Sequence, residues 1–201
     1  MNEDPRTQWN IRHAAATGIG EAPRVLQENL HLLPCGGDAL DLACGRGAGA
    51  LLLARQGLQV EAWDISEVAI ERLLGEARDQ GLSNLHVQVR DVIQRPPEPA
   101  RFDLILVSFF LERALAPRLS DALRPGGLLF YQTFARVAVS SCGPSNPAFR
   151  LEDNELLRLF PDLKVRFYRE EGLLGDLDAG CRDIAMLVAQ KPGEGQDEAR
   201  K

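Results

Sequence analysis

Short apolar segments alternate along the chain with stretches in which apolar residues recur at helical spacing. The apolar segments are bounded by Gly, Asp and Asn, which is typical of strands followed by turns. We predict strands over residues 39–43, 59–64, 85–89, 102–108 and 128–133. We predict helices over residues 21–33, 47–56, 66–80 and 112–123, the last interrupted at Pro117. This alternation of helix and strand indicates an α/β protein with a doubly wound, mostly parallel sheet.

The turn after the first predicted strand is rich in glycine. Asp41 lies at the end of that strand, and Gly45 and Gly47 follow before the next helix begins. Glycine tolerates positive φ and allows a ligand to approach the main chain closely. The first N–H groups of the following helix would point into the same space. Together these features are typical of a nucleotide-type cofactor site.

A second acid narrows the choice of cofactor. Asp64 ends the second predicted strand, where its carboxylate would lie beside the glycine turn and accept hydrogen bonds from ribose hydroxyls. Gly45, Gly47 and Ala50 also satisfy the G-x-G-x-x-A pattern of dinucleotide sites. Asp41 favours a different ligand, because a carboxylate near the turn repels a pyrophosphate but suits an ammonium and a sulfonium. S-adenosylmethionine carries both of these groups.

Five motifs in register resemble those of class I S-adenosylmethionine-dependent methyltransferases. They occupy residues 41–47, 62–64, 90–92, 102–105 and 124–129. The resemblance implies a Rossmann-like sheet of seven strands that ends in an antiparallel pair, which we expect over residues 163–169 and 183–189. Residues 143–147 and 154–157 are similar to the small bacterial tellurite-resistance-type branch of this family. The segment from Trp9 to His13 resembles the Trp-x-x-Arg-Tyr of that branch, with His13 in place of the tyrosine.

The resemblance also implies S-adenosyl-L-methionine as the cofactor and a set of residues that bind it. Asp41 is expected to face the ammonium group, Asp64 to hold the ribose, and Asp91 to accept from the adenine amino group. Ser108, Phe109 and Phe110 are expected to border the methionine part and the transferred methyl group. The full set is Asp41, Ala43, Gly45, Gly47, Asp64, Ile65, Asp91, Val92, Ser108 and Phe109.

The methyl acceptor is expected to be a small soft or anionic nucleophile, such as a thiol or a selenite- or tellurite-type oxyanion. Such acceptors arrive already nucleophilic, so methyl transfer by in-line displacement needs a general base only for a protonated acceptor. Segments 9–13, 134–149 and 172–182 would cover the acceptor side. The cations in these segments or directly after one of them are Arg12, Arg136, Arg150 and Arg182. We take Arg136 and Arg182 as candidates for binding an anion and His13 as a candidate base; the alternative is that these arginines form surface ion pairs.

Composition restricts the partners of the protein. The chain has 23 Lys and Arg against 29 Asp and Glu, a net charge of −6, which argues against nucleic acid because phosphate binding needs clustered cations. Residues 1–5 form no signal core and the longest apolar run is too short for a bilayer, so we expect a cytoplasmic protein without membrane contact. The four cysteines form no C-x-x-C pair, and we expect reduced thiols and no metal site.

Three segments are expected along the chain: an N-terminal helical lid over 1–35, a methyltransferase domain over 36–191 and a disordered tail over 192–201. Two functional alternatives stay open. The glycine pattern is compatible with an NAD-dependent dehydrogenase, although Asp41 and the short chain weaken that interpretation. A non-catalytic protein that binds S-adenosylmethionine is the other. The sequence carries no signal of oligomeric state.

Overall fold

The structure is a computed structural model, and it describes residues 4–193. The helices are α1 (Pro5–Ala15), α2 (Arg24–Glu28), α3 (Ala48–Arg55), α4 (Glu67–Asp79), α5 (Ala116–Ala122) and α6 (Glu155–Leu159). The strands are β1 (Asp38–Leu42), β2 (Gln59–Asp64), β3 (Leu85–Val89), β4 (Phe102–Ser108), β5 (Leu123–Phe134), β6 (Lys164–Arg169) and β7 (Ile184–Gln190). Short 3-10 helices cover Leu30–Leu32, Arg113–Leu115 and Pro147–Phe149.

The seven strands form one sheet in the order β3-β2-β1-β4-β5-β7-β6. Strands β1 to β5 pair in parallel, whereas β7 runs antiparallel to both β5 and β6. The predicted fold class and its terminal antiparallel pair are therefore confirmed. The chain leaves β1 towards β2 on one side and reaches β4 on the other, and such a reversal opens a crevice at the carboxyl ends of the strands.

Apolar side chains cover both faces of the sheet, because helices pack on each side of it. On one face, Leu106 of β4 belongs to the same buried cluster as Leu53 of α3 and Leu73 of α4. On the other face, Val107 is clustered with Leu119 of α5. Burial on both faces explains why β4 is apolar nearly throughout, whereas a strand with one exposed face would alternate.

The helix predicted over 21–33 is wrong in its length. α2 ends at Glu28 and a 3-10 turn follows. The side chain of Asn29 is buried, and its amide donates to the carbonyl oxygen of Val25 at 2.9 Å. This bond replaces the one that a continuing helix would make at that carbonyl, which is how Asn competes with helical backbone bonds.

Two further boundaries differ from the prediction. Pro117 lies in the first turn of α5, where its missing N–H costs nothing, so it begins that helix instead of interrupting it. β5 starts at Leu123, which pairs with Phe102 before a register irregularity near Gly126 and Gly127. Proline and glycine near a strand start predict a turn, so the sequence predicts a later start for β5. The residue whose pairing extends the strand, Phe102, lies outside this local pattern.

The N-terminal helix α1 packs across α4 through polar contacts. Asn10 donates to Glu67 at 2.8 Å and accepts a hydrogen bond from the hydroxyl of Ser66 at 2.6 Å. Arg6 forms an ion pair with Glu67 at 3.0 Å. Residues 1–3 of the predicted lid and 194–201 of the predicted tail lie outside the described residues. Within residues 4–193, no helix is long and apolar enough to cross a membrane.

Candidate functional site

A cavity of about 780 Å³ opens at the carboxyl ends of the parallel strands, around the point where the strand order reverses. Its volume lies within the range of roughly 300–1,000 Å³ that is typical of small-molecule sites. Nine residues of the predicted cofactor set line it: Ala43, Gly45, Gly47, Asp64, Ile65, Asp91, Val92, Ser108 and Phe109. Phe110 and His13 also line it, whereas Asp41 does not.

The glycine turn adopts left-handed backbone at three positions. Gly45 and Gly47 have φ of 53° and 82°. A Cβ added to Gly47 would lie 2.3 Å from Leu73 Cδ1, so a side chain there would collide with the core beneath α3. Ala43 has φ of 54°, a conformation that costs a residue with a Cβ about 1–2 kcal/mol. The turn therefore keeps a backbone path that places main-chain groups on the cavity wall.

Asp64 connects the end of β2 to this turn. Its Oδ2 accepts from the N–H of Gly45 at 2.8 Å, and its Oδ1 accepts from the N–H of Ser66 at 2.9 Å. The residue is only 6% exposed, yet it lines the cavity. Burial raises the pKa of Asp64, and the hydrogen bonds from Ser66 and Gly45 act in the opposite direction. The carboxylate is thus held rigidly, with remaining lone pairs available to a ligand.

Asp91 follows β3 and stands on the cavity wall beside the exposed Ile93. Its Oδ1 accepts from the backbone N–H groups of Ile93 and Gln94 at 2.9 and 3.2 Å. Its Oδ2 makes no hydrogen bond within the part of the chain that the structure describes. Val92, next to it, is buried and contributes an apolar surface to the same wall. This corner offers one carboxylate oxygen and apolar surface to a flat polar ring.

The aromatic wall after β4 is strained. Phe109 has φ of 54°, an outlier for a bulky side chain, and the residue is 47% exposed. Its ring lies against that of Phe134 with centroids 4.8 Å apart. Strain of this kind persists only where surrounding structure enforces it, and it concentrates at ligand sites. The conformation holds an aromatic ring at the cavity, at the end of the central strand.

His13 reaches the cavity from α1. Its ring stacks on that of Trp9 with centroids 5.6 Å apart, and a Cβ added to Gly45 would lie 3.4 Å from its Cε1. Burial lowers the pKa of His13, while the nearby Asp64 raises it by a smaller amount. The imidazole is therefore neutral at pH 7 and can accept a proton. The structure thus brings the candidate base next to the glycine turn.

Asp41 lies behind the cavity wall. It is 2% exposed, and a Cβ added to Gly49, which does line the cavity, would meet its Oδ2 at 2.9 Å. Its Oδ1 is buried without a hydrogen-bond partner. Burial raises its pKa to about 7. Its side chain points under the first turn of α3, because alternation along β1 sends it to that face of the sheet.

Arg136 and Arg182 lie outside the cavity, as do Arg12 and Arg150. Arg136 forms an ion pair with Glu152 at 3.0 Å. Two of the other guanidinium groups donate to backbone carbonyl oxygens and so hold loops in place. Those acceptors are Pro144 and Ala135 for Arg150, and Gly172, Asp176 and Ala179 for Arg182. The structure places no cation from these four at the cavity wall.

Several cavity residues were not predicted from the sequence. The segment between α1 and α2 lines one side from Ile19 to Pro23, and Arg24, Gln27 and Glu28 of α2 follow it. Gln132 of β5 and Ile184 of β7 line the adjoining side. No motif marks these positions, and only the polar Gln132 within an apolar strand is a local signal that could have found one of them.

The cations that do line the cavity are also engaged with protein groups. Arg24 pairs with Glu28 at 2.5 Å. Arg46 donates to the carbonyl oxygens of Thr17 and Gly18, which ties the glycine turn to the chain after α1. Within residues 4–193, no cluster of three or more His, Cys, Asp or Glu side chains could hold a metal ion.

Comparisons with known proteins agree with the motifs. Residues 39–127 match a family model described as a methyltransferase domain. A ubiquinone biosynthesis O-methyltransferase of Coxiella burnetii is 32% identical over 106 residues, which cover 50% of this chain and 45% of the relative. The chain thus spans about half the length of the curated relatives that it matches.

Two solved structures show the same fold at low sequence identity. TehB from Haemophilus influenzae is 21% identical with a TM-score of 0.66, over 83% of this chain and 61% of that one. A geranyl diphosphate C-methyltransferase from Streptomyces coelicolor A3(2), in complex with S-adenosyl-L-homocysteine, is 16% identical with a TM-score of 0.66, over 94% and 97%. The fold is thus that of methyltransferases, residues 39–127 match a methyltransferase domain, and the predicted resemblance to class I S-adenosylmethionine-dependent methyltransferases is confirmed.

Proposed function

We propose that the protein transfers a methyl group from S-adenosylmethionine to a small-molecule acceptor. The observation that carries this proposal is the Asp64 carboxylate. It is bonded to the main chain of the glycine turn at Gly45 and exposed to a cavity at the reversal of strand order. The methyltransferase-domain match spans these elements, which favours this cofactor over NAD.

The residues at this end of the cavity fit the proposed cofactor. The lone pairs of Asp64 suit a ribose diol, and Asp91 Oδ2 suits an adenine amino group. Ile65 and Val92 supply apolar surface for the adenine ring. The methionine part would lie against the main chain at Gly45, where a Cβ would restrict the space below His13. Asp41 would not contact the ammonium group of the cofactor. Its charge would act on that group from behind the first turn of α3.

The sulfonium of the bound cofactor supplies the electrophilic methyl group. The chain would contribute alignment of the acceptor, and alignment alone can lower a barrier by up to roughly 7–11 kcal/mol in model systems. Phe109 and Ser108 stand at the end of β4, beside the predicted methionine site. The neutral His13 could take a proton from an acceptor that arrives protonated, such as a thiol.

The acceptor class is the finer part of the proposal. We infer a small soft or anionic nucleophile, such as a thiol or a selenite- or tellurite-type oxyanion. The resemblance to the tellurite-resistance-type branch supports this class, and the names of the O- and C-methyltransferase relatives support small acceptors in general. The position of Arg136 and Arg182 outside the cavity gives the anion no support from those two side chains. A cytoplasmic location and the lack of a nucleic-acid partner stay predictions.

Calorimetric titration with S-adenosylhomocysteine, with NAD as the comparison ligand, tests the cofactor assignment. We expect Asp64→Asn to lower the affinity for S-adenosylhomocysteine by about tenfold to a hundredfold, because hydrogen bonds between the ligand and a charged carboxylate are lost. Asp183→Asn is a matched control, since Asp183 also accepts two backbone N–H bonds, from Val139 and Ser140, but lies outside the cavity. Binding of NAD alone would overturn the assignment.

Turnover separates the enzyme from a non-catalytic binding protein. Production of S-adenosylhomocysteine would be followed with a panel of thiols, selenite and tellurite. Tight binding of the cofactor without turnover of any acceptor would favour the binding-protein alternative.

A further inference from the structure

Gln132 is a buried polar residue that the proposed chemistry does not yet use. It lies near the carboxyl end of β5, in register with Ser108 of β4, and the two side chains share one face of the sheet. The residue is 1% exposed but lines the cavity. A buried amide at such a place requires hydrogen-bond partners for both its oxygen and its nitrogen.

The orientation of this amide is determined by α2. Gln132 Oε1 accepts from the backbone N–H of Val25 at 2.8 Å. The opposite orientation would place two N–H groups against each other, so the amide NH2 must face away from Val25. No side chain or carbonyl within the described residues accepts from Gln132 Nε2. A donor is therefore held at the cavity by a bond to the neighbouring helix.

This donor stands on the acceptor side of the cavity. Asp64 is on β2, and β1 and β4 separate β2 from β5, so neighbouring-strand spacing puts Gln132 roughly 14 Å from the predicted ribose site. α2 and β7 both contact β5, and the cavity lining on this side includes Pro23, Gln27 and Ile184, while Arg24 of α2 is already paired with Glu28. The surroundings thus offer a neutral donor and apolar surface, with the adjacent cation already neutralised.

We propose that Gln132 Nε2 donates a hydrogen bond to an oxygen atom of the methyl acceptor. The acceptor class is a small molecule with an oxyanion or carbonyl oxygen close to its nucleophilic atom. The contact rests on the proposed function and deepens it, because it names the group that orients the acceptor. It also explains how a site can recognise an oxygen without contact from Arg136 or Arg182.

Gln132→Glu separates this role from a structural one. A glutamate keeps an oxygen that can accept from Val25 N–H, but it replaces the donor by a second acceptor oxygen. Asn29→Asp is the control, since it makes the same amide-to-carboxyl change at a buried residue that also bonds Val25 and does not line the cavity. Gln132→Met removes both hydrogen bonds and measures the structural contribution of the side chain.

The side-chain amide of Gln132 would be followed by ¹⁵N nuclear magnetic resonance in protein saturated with S-adenosylhomocysteine. The probes are sodium selenite for an oxyanion, sodium acetate for a carboxylate and dimethyl sulfoxide for a neutral oxygen. We expect at least one probe to shift the Gln132 amide resonance saturably. Because Gln132→Glu has no such amide, the affinity of that probe for the native protein and for the variants would be compared by calorimetric titration, and we expect it to fall about tenfold in Gln132→Glu. Asn29→Asp should retain the probe affinity.

The outcomes distinguish the two proposals. A Gln132 resonance that none of the three probes moves, in protein that binds S-adenosylhomocysteine, would overturn the role of Gln132 and leave the proposed function intact. Equal loss of probe affinity in Gln132→Glu and Asn29→Asp would show a structural effect and also overturn it. Failure of S-adenosylhomocysteine to bind the native protein would overturn the proposed function, and the acceptor contact with it.

Discussion

The two ends of the cavity are built in different ways. At the cofactor end, the chain contributes three strand ends in succession, and backbone N–H groups anchor the carboxylates of Asp64 and Asp91. At the proposed acceptor end, the lining residues come from α1, α2, β5 and β7, which are far apart in sequence, and they include His13 and Gln132. The first end is held by hydrogen bonds within and between neighbouring strand ends, whereas the second depends on how distant segments meet.

The comparison predicts that changes at the cofactor end affect folding more than changes at the acceptor end. The largest expected effect is at Asp41, which lies behind the glycine turn. Its pKa is raised to about 7 from a usual value of 3.8, so the unfolded chain loses this proton first. The contribution of Asp41 to the free energy of unfolding should fall as pH rises from about 4 to about 7, by an amount on the order of 4 kcal/mol.

Urea unfolding of the native protein and of Asp41→Asn across this pH range measures the effect. As pH rises towards 7, the free energy of unfolding of the native protein should fall relative to that of Asp41→Asn. Above pH 7 the difference between the two should stay constant. A difference that stays constant from pH 4 to pH 8 would contradict the buried, protonated carboxyl.

Gly47→Ala is expected to have the next largest effect. The new Cβ would collide with Leu73 at 2.3 Å and would force alanine into left-handed backbone, so we expect a loss of about 3 kcal/mol in unfolding free energy. Gly57→Ala is the matched control, because Gly57 also has positive φ but no atom lies within 4 Å of its added Cβ. Equal losses in both variants would mean that backbone conformation alone, and not the contact with Leu73, determines the cost.

Ala43→Gly should stabilise the protein slightly. Ala43 has φ of 54° in the turn after β1, and glycine removes the Cβ strain at a small cost in chain entropy. We expect a gain of up to about 1 kcal/mol in thermal or urea unfolding. A loss of stability would show that the methyl group of Ala43 contributes packing that outweighs the strain.

The smallest effect is expected for Arg136→Ala. Its ion pair with Glu152 is exposed, with roughly half of each side chain accessible, so the loss in unfolding free energy should stay below about 1 kcal/mol. The affinity for S-adenosylhomocysteine and for an anionic acceptor should not change, because Arg136 lies outside the cavity. A marked loss of acceptor affinity in steady-state assays would restore Arg136 as an anion-binding residue.

Much of the cofactor end could be predicted from the sequence because its features are local. A strand that ends in an acid, a glycine turn and a second acid after the next strand are all read from neighbouring residues. Nine of the ten residues expected there line the cavity. Asp41 is the exception, since alternation along β1 and the path of α3 decide which side of the turn it faces. The chemical roles of the nine stay predictions.

The sequence by itself determined the α/β fold class, because hydrophobic periodicity and turn residues act over a few positions. The order of the strands in the sheet was seen only in the structure. Tertiary structure decided which polar groups face the cavity. Arg136 pairs with a surface carboxylate and Arg182 donates to loop carbonyls. Gln132, in contrast, is turned towards the cavity by its bond to Val25. Such orientations depend on hydrogen bonds between residues more than a hundred positions apart or on loops that close on themselves, and no local pattern encodes them.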